Sequence, residues 1–168
     1  MIDPTIHTSR LTLRGLTPAD FPPLADLYAS PRSAYIDGPQ PAHQVWLGFA
    51  SDVGQWVLKG YGTWAVDRTA TGAHIGLVAL NHPHEYPEPE LGWLLYDGYE
   101  GHGYAHQAAL AARAYAFDRL GMPTLVGYVS PENHRSRRQA ERLGAQIDPD
   151  AATPLNEPCL TYRHRRGG

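Results

Sequence analysis

Residues 92–106 read GWLLYDGYEGHGYAH: an apolar run, a short turn, and two glycines that open onto an alanine-rich stretch. Trp93, Leu94 and Leu95 suit a strand. Residues 104–120 carry Leu110, Tyr115, Phe117 and Leu120 among small residues and meet Gly121, which predicts a helix with a glycine stop. A strand that turns into a helix N-terminus presents unpaired backbone N–H groups and the positive end of a helix dipole, so it suits a phosphate or diphosphate. Gly101 and Gly103 permit positive φ and close approach of a ligand to the backbone. No Gly-Lys-Ser/Thr follows, which excludes a Walker-type loop, and His106 stands where a dinucleotide fingerprint needs its third glycine. Taken alone, the pattern equally describes a glycine-rich turn entering a helix.

Downstream, TLVGYV at 124–129 predicts a strand, and Ser130-Pro131 predicts the start of a helix that closes at Leu143-Gly144. Strand, helix, strand, helix implies a parallel pair. On that second helix Asn133 and Ser136 are three apart and share a face. Arg135, Arg137, Arg138 and Arg142 read mainly as a solvated charged face. The tail offers a weak strand at 145–147 and a stronger one in CLTYRHR at 159–165, an edge at which two copies can pair.

Upstream, NHPHEYPEPE at 81–90 must be a loop, because each proline removes a ladder donor. TWAVD and HIGLVAL predict a hairpin turning at 68–73. RLTLRGL predicts a short strand, followed by a helix that Thr17 caps, with Pro18 in its first turn and Leu24, Leu27 and Tyr28 facing inward. Residues 31–42 read as a loop and a second helix runs through Val45, Trp46, Phe49, Val53, Trp56 and Val57. That loop and helix are placed to wall a substrate cleft.

The whole chain, 1–168, reads as a single domain. Apolar residues make up 42% and charged residues 18%, which is ordinary for a globular protein. Fourteen basic against seventeen acidic side chains, a net −3, disfavour nucleic acid and anionic membrane as partners. One cysteine, Cys159, excludes an internal disulfide and a multi-cysteine zinc site. The absence of a basic N-terminal stretch before an apolar run, and of an apolar segment of roughly 20 residues, leads us to expect a cytoplasmic protein.

ELGWLLYDGYEGHGYAHQA followed by PENHRSRRQAERLGA resembles the GNAT superfamily of N-acetyltransferases, and within it the branch that acetylates ribosomal-protein N-termini. The resemblance spans 11–163 and its motifs are specific over 90–144. It implies an α/β, three-layer fold with a mixed sheet of about six or seven strands, splayed between two central parallel strands and flanked by about four helices. It also implies acetyl-CoA as cosubstrate. The superfamily wraps the pyrophosphate with Arg/Gln-x-x-Gly-x-Gly/Ala, which aligns here as Glu100-Gly101-His102-Gly103-Tyr104-Ala105 with His106 adjoining. Glu100 departs from that pattern and sets a negative charge near a diphosphate. By the same resemblance Trp93, Leu94 and Leu95 offer backbone hydrogen bonds to the acetyl and pantetheine groups, and Asn133 contacts the pantetheine arm. Where many members carry a tyrosine acid this chain has Ala140, and the branch it resembles uses the serine that is Ser136 here.

An amine must lose a proton before it attacks, since an unperturbed ammonium has a pKa of about 7.7–8.0 at a peptide N-terminus and about 10.4 at a lysine. Glu90, at the head of the cofactor strand, is the leading candidate to take that proton through water, with Glu88 and His84 as alternatives. His82 and His84 lack the spacing of a metal site, so no metal is expected. Glu85, Glu88 and Glu90 together favour a cationic acceptor: a polyamine, an aminoglycoside or a peptide N-terminus. The alternative to an enzyme is a non-catalytic acyl-CoA-binding module, which Glu100 and the missing tyrosine make conceivable.

Overall fold

The computed structural model describes residues 3–154 and 158–167. In chain order its strands are β1 (Ile6–His7), β2 (Leu11–Arg14), β3 (Thr63–Arg68), β4 (His74–Asn81), β5 (Glu90–Leu95), β6 (Thr124–Val129), β7 (Gln146–Ile147) and β8 (Leu160–Arg165). Its α-helices are α1 (Phe21–Ala29), α2 (Ala42–Lys59), α3 (Tyr104–Ala114) and α4 (His134–Arg142). All eight strands form one mixed sheet in the order β1-β2-β3-β4-β5-β6-β8-β7. The sequence led us to expect six or seven. The additional strand is β1, two residues paired with Leu13 and Thr12, too short to show any periodicity.

The layers follow from alternation along the strands. Trp64 and Val66 of β3 are fully buried among Tyr104, Ala108 and Ala112 of α3, whereas Ala65 between them packs with Leu24 of α1 and with Val45 and Phe49 of α2. The small residues of α3 let it lie close on the sheet. α4 covers the β6 side, where Ala140 packs with Val129 and Tyr162.

Several element ends differ from expectation for local reasons. The helix expected after Thr17 begins as a 3₁₀ turn over Pro18–Asp20, and α1 starts only at Phe21. Asp20 accepts the Thr17 N–H at 2.7 Å and is gripped from the other side by Arg14, whose guanidinium also reaches Asp67. Burial alone would raise the Asp20 carboxyl, but Arg14 and the Thr17 N–H outweigh it and hold the group below the usual carboxylate range. This pins the entry of α1 to β2 and β3. The helix expected from Ser130-Pro131 begins at His134, because Asn133 takes the N-cap and accepts the Ser136 N–H at 3.3 Å. The long helix after Gly103 keeps α geometry to Ala114 and finishes as a π turn over Tyr115–Arg119.

β8 carries a titratable group into the core. His164 is fully buried, neither ring nitrogen has a hydrogen-bond partner among the described residues, and burial, then Arg113, lowers it to about 4. Its folded pKa lies below the unfolded value of about 6.5, so the unfolded chain binds the proton more readily between those values. Stability is therefore present above about pH 6.5 and is lost as pH falls towards 4, by roughly 3 kcal/mol from this group. Urea unfolding of the wild type and of His164→Gln across that range checks this, the variant being expected to show a slope smaller by about one proton.

Candidate active site

β5 and β6 run parallel but hold a single registered pair, Glu90 with Val126. The Val126 N–H donates to the Pro89 carbonyl at 3.1 Å. A parallel ladder would next take the Tyr128 N–H to the Leu91 carbonyl. Instead that N–H donates to Glu90 Oε2 at 3.0 Å. The Glu90 side chain thus acts as a wedge that ends the ladder. It folds over Gly92, where a Cβ would meet Oε1 at 3.5 Å. β5 stays paired with β4 as far as Leu95, so its alternate groups, including the N–H groups of Trp93 and Leu95, face the gap that β6 has left.

The gap opens into a cavity of about 610 Å³. Ala79, Gly92 and Leu94 lie on its floor, Asp37 and Asp52 come from the loop before α2 and from α2 itself, and Tyr128 and Ser136 come from the β6–α4 side. The first loop and second helix therefore form the wall expected from the sequence. Asn133 Nδ2 donates to Ser136 Oγ at 3.1 Å, which fills one acceptor site of the hydroxyl and leaves its own proton to be donated elsewhere. Asn133 is thus engaged with α4 itself as well as lining the cavity.

At the other end of β5 the glycine-rich turn has the expected backbone. Gly101 and Gly103 have φ of +83° and +79°, and Gly103 is the N-cap of α3. Arg10 donates to the His102 carbonyl at 2.8 Å and lies 4.8 Å from the centre of the Tyr104 ring. Tyr104 itself is a core residue, so only its backbone is available to a ligand. Ala105 and His106 follow on the first turn of α3. Burial, then Arg142 and Arg113, hold the His106 imidazole below its usual range, so it brings no charge to the loop. Glu100 pairs with Arg32 and, at 3.3 Å, with Arg135. The negative charge that the sequence set beside a diphosphate is therefore compensated by two guanidiniums, one from each side of the cleft.

Two carboxylates in the cavity are displaced from their ordinary range. Burial pushes Glu90 up to about 7, the Tyr128 N–H opposing and Asp37 adding to the rise. Burial likewise pushes Asp52 to about 7, the Thr63 hydroxyl opposing. Tyr28 lies among them: burial first, then Asp52, Asp37 and Glu90, push its phenol to about 12. Glu88, an alternative base in the sequence, is used elsewhere, gripped by both Arg163 nitrogens at 2.9 Å. His84 is exposed and forms no part of the cavity wall. Asp52 was not singled out from the sequence, although a signal was present. Val45, Phe49, Asp52 and Trp56 follow the 4-3-4 spacing of an inward helix stripe, and an acid on such a stripe calls for a reason.

Among the described residues no group of three or more His, Cys, Asp or Glu is placed to hold a metal ion, and no helix is long and apolar enough to cross a membrane. Residues 10–146 match the acetyltransferase (GNAT) domain family. The chain belongs to the GNAT family. An acetyltransferase from Agrobacterium tumefaciens, 47% identical, superposes with a TM-score of 0.94 over 97% of this chain and 95% of its own. RimL, a ribosomal L7/L12 α-N-protein acetyltransferase solved with coenzyme A, shares the GNAT fold at 15% identity, with a TM-score of 0.76 over 96% of this chain and 98% of its own. YkkB of Bacillus subtilis is 26% identical over 111 residues, and the match spans 64% of each chain.

Proposed function

We propose that this GNAT protein is an acetyl-CoA-dependent N-acetyltransferase that acetylates a primary amine by direct attack within a ternary complex. The observation that carries this is the splay at Glu90, which opens unused strand N–H groups, a carboxylate near neutrality and a free hydroxyl proton onto one cavity. The chain's own features fit the cosubstrate. Gly101 and Gly103 hold left-handed backbone at the N-terminus of α3, Arg10, Arg32 and Arg135 surround that loop, and the gap beside β5 has the shape of a slot.

Acetyl-CoA, when bound, supplies an acetyl group activated as a thioester. Glu90, with a pKa near 7, is suited to accept the proton of an ammonium at neutral pH. The N–H groups of Trp93 and Leu95 are positioned to stabilise negative charge on the carbonyl oxygen without rearrangement. Ser136 directs its proton to the departing sulfur. Across the reaction the N–C bond forms and the C–S bond breaks, and the ammonium gives up two protons, one to Glu90 and the other to the thiolate by way of solvent.

Acetyl-CoA titration by calorimetry, with thiol release followed over a panel of amines, tests the proposal. Binding without release on any amine would favour the non-catalytic module instead. Ser136→Ala is expected to lower kcat by about 10- to 100-fold, the worth of a hydrogen bond to a charged group. The acetyl-CoA dissociation constant should change little, and an unaltered rate would remove the assigned role.

A further inference from the structure

The cavity has a second end that acetyl transfer alone leaves unexplained. Asp37, Asp52, Glu85 and Glu90 line the cavity as a whole, and among its described lining residues there is no Lys, Arg or His. Asp52 lies on the inward stripe of α2, beside Thr63 at the start of β3. Thr63 is 2% exposed, it lines the cavity, and its hydroxyl reaches the Asp52 carboxylate, where it opposes the rise in that group's pKa. Thr63 pairs with Ala79 of β4, and Ala79 pairs with Gly92 of β5, over which Glu90 folds. The two carboxylates therefore stand over one row of the sheet, two strand spacings or about 10 Å apart. Tyr28 lines the same cavity, and its phenol responds to both.

We propose that the acceptor is an aliphatic diamine or polyamine, one amine presented at Glu90 for acetylation and a second ammonium held at the far end by Asp52 and Thr63. A monoamine would leave Asp52 withdrawn from water without a counter-charge, whereas a dication satisfies both ends. The raised pKa of each carboxyl agrees, since burial is the main cause at both and no cation among the described residues opposes it. Tyr28 and Phe49 give the intervening methylenes an aromatic wall. The floor of Ala79 and Gly92 leaves room for an unbranched chain. The inference rests on the cavity being the acceptor site of an acetyltransferase.

The test compares kcat/KM for propane-, butane-, hexane- and octanediamine and spermidine against monoamines of equal length, by thiol release. The best diamine is expected to exceed its matched monoamine by about 10-fold or more, a charge-assisted hydrogen bond being the difference. In Asp52→Asn that diamine-to-monoamine ratio should collapse towards one, and Asp52→Glu should restore part of it. Equal kcat/KM for diamines and monoamines, or a ratio untouched in Asp52→Asn, overturns this inference and leaves acetyl transfer standing. A preference for peptide N-termini over all diamines overturns it as well. Failure to bind acetyl-CoA by calorimetry overturns both together.

Discussion

Glu90→Gln is expected to lower kcat/KM by about 10²- to 10⁴-fold, the usual range for losing a positioned general base. The amide oxygen of Gln can still accept the Tyr128 N–H, so the wedge between β5 and β6 should persist along with acetyl-CoA binding. What is lost is the capacity to hold a proton. The pH profile is the more specific test. A base must be ionised to act, and Glu90 ionises as pH rises through about 7. Wild-type kcat/KM should therefore climb below pH 7 and level off above it, whereas a profile governed by free ammonium would keep rising towards about pH 10. Measured with a monoamine, so that the Asp52 carboxyl, also near 7, takes no part in binding, the residual rate of Glu90→Gln should lack the limb near 7. A variant with full activity, or one that keeps that limb, would remove Glu90 as the base. Glu90→Ala makes a useful companion, since it removes the wedge as well and exposes the Tyr128 N–H.

Gly103→Glu is expected to weaken acetyl-CoA binding by about 100-fold. Two effects combine. A non-glycine residue at φ +79° carries a left-handed penalty of about 1–2 kcal/mol, and a carboxylate at the N-cap of α3 occupies the place where the loop's N–H groups would meet phosphate. Gly103→Ala separates them, because its Cβ would come only to 3.4 Å from Arg10 Nη2 and it adds no charge. The alanine variant should show a lower melting temperature with a modest change in affinity. Calorimetry on both variants decides the matter, and an unchanged dissociation constant in Gly103→Glu would remove the loop from the phosphate site.

Most of the fold could be read from periodicity and punctuation. The hairpin, the proline-rich loop and the strand–turn–helix at 92–106 all form, because alternation and glycine placement act locally. What escaped was non-local. The two-residue β1 exists only through its register with β2. The compensation of Glu100 depends on Arg32, far away in sequence, and on Arg135 at the start of α4. Glu88 looked equivalent to Glu90 by residue type and position, yet Arg163 from the last strand claims it. Glu90 could be picked out by its place at the head of a strand, whereas its wedge role needed the parallel neighbour. Asp52 was legible as an acid on an apolar stripe, but its purpose required Thr63 beneath it and Glu90 across the floor.

The single registered pair between β5 and β6 has a mechanical corollary. The sheet is two leaves, β1–β5 and β6–β8–β7, fastened at one end by a backbone rung and a carboxylate. An extended amide-bearing chain lying in the slot would supply the rungs that the strands withhold, so that the bound cosubstrate becomes part of the sheet. Linkage then makes the ligand a stabiliser of the fold, worth about 2.7 kcal/mol at a hundredfold excess over its dissociation constant. The slow-exchanging amides it protects should run along both leaves at once, and the leaves should breathe most freely between turnovers, when the slot must release one product and admit the next thioester.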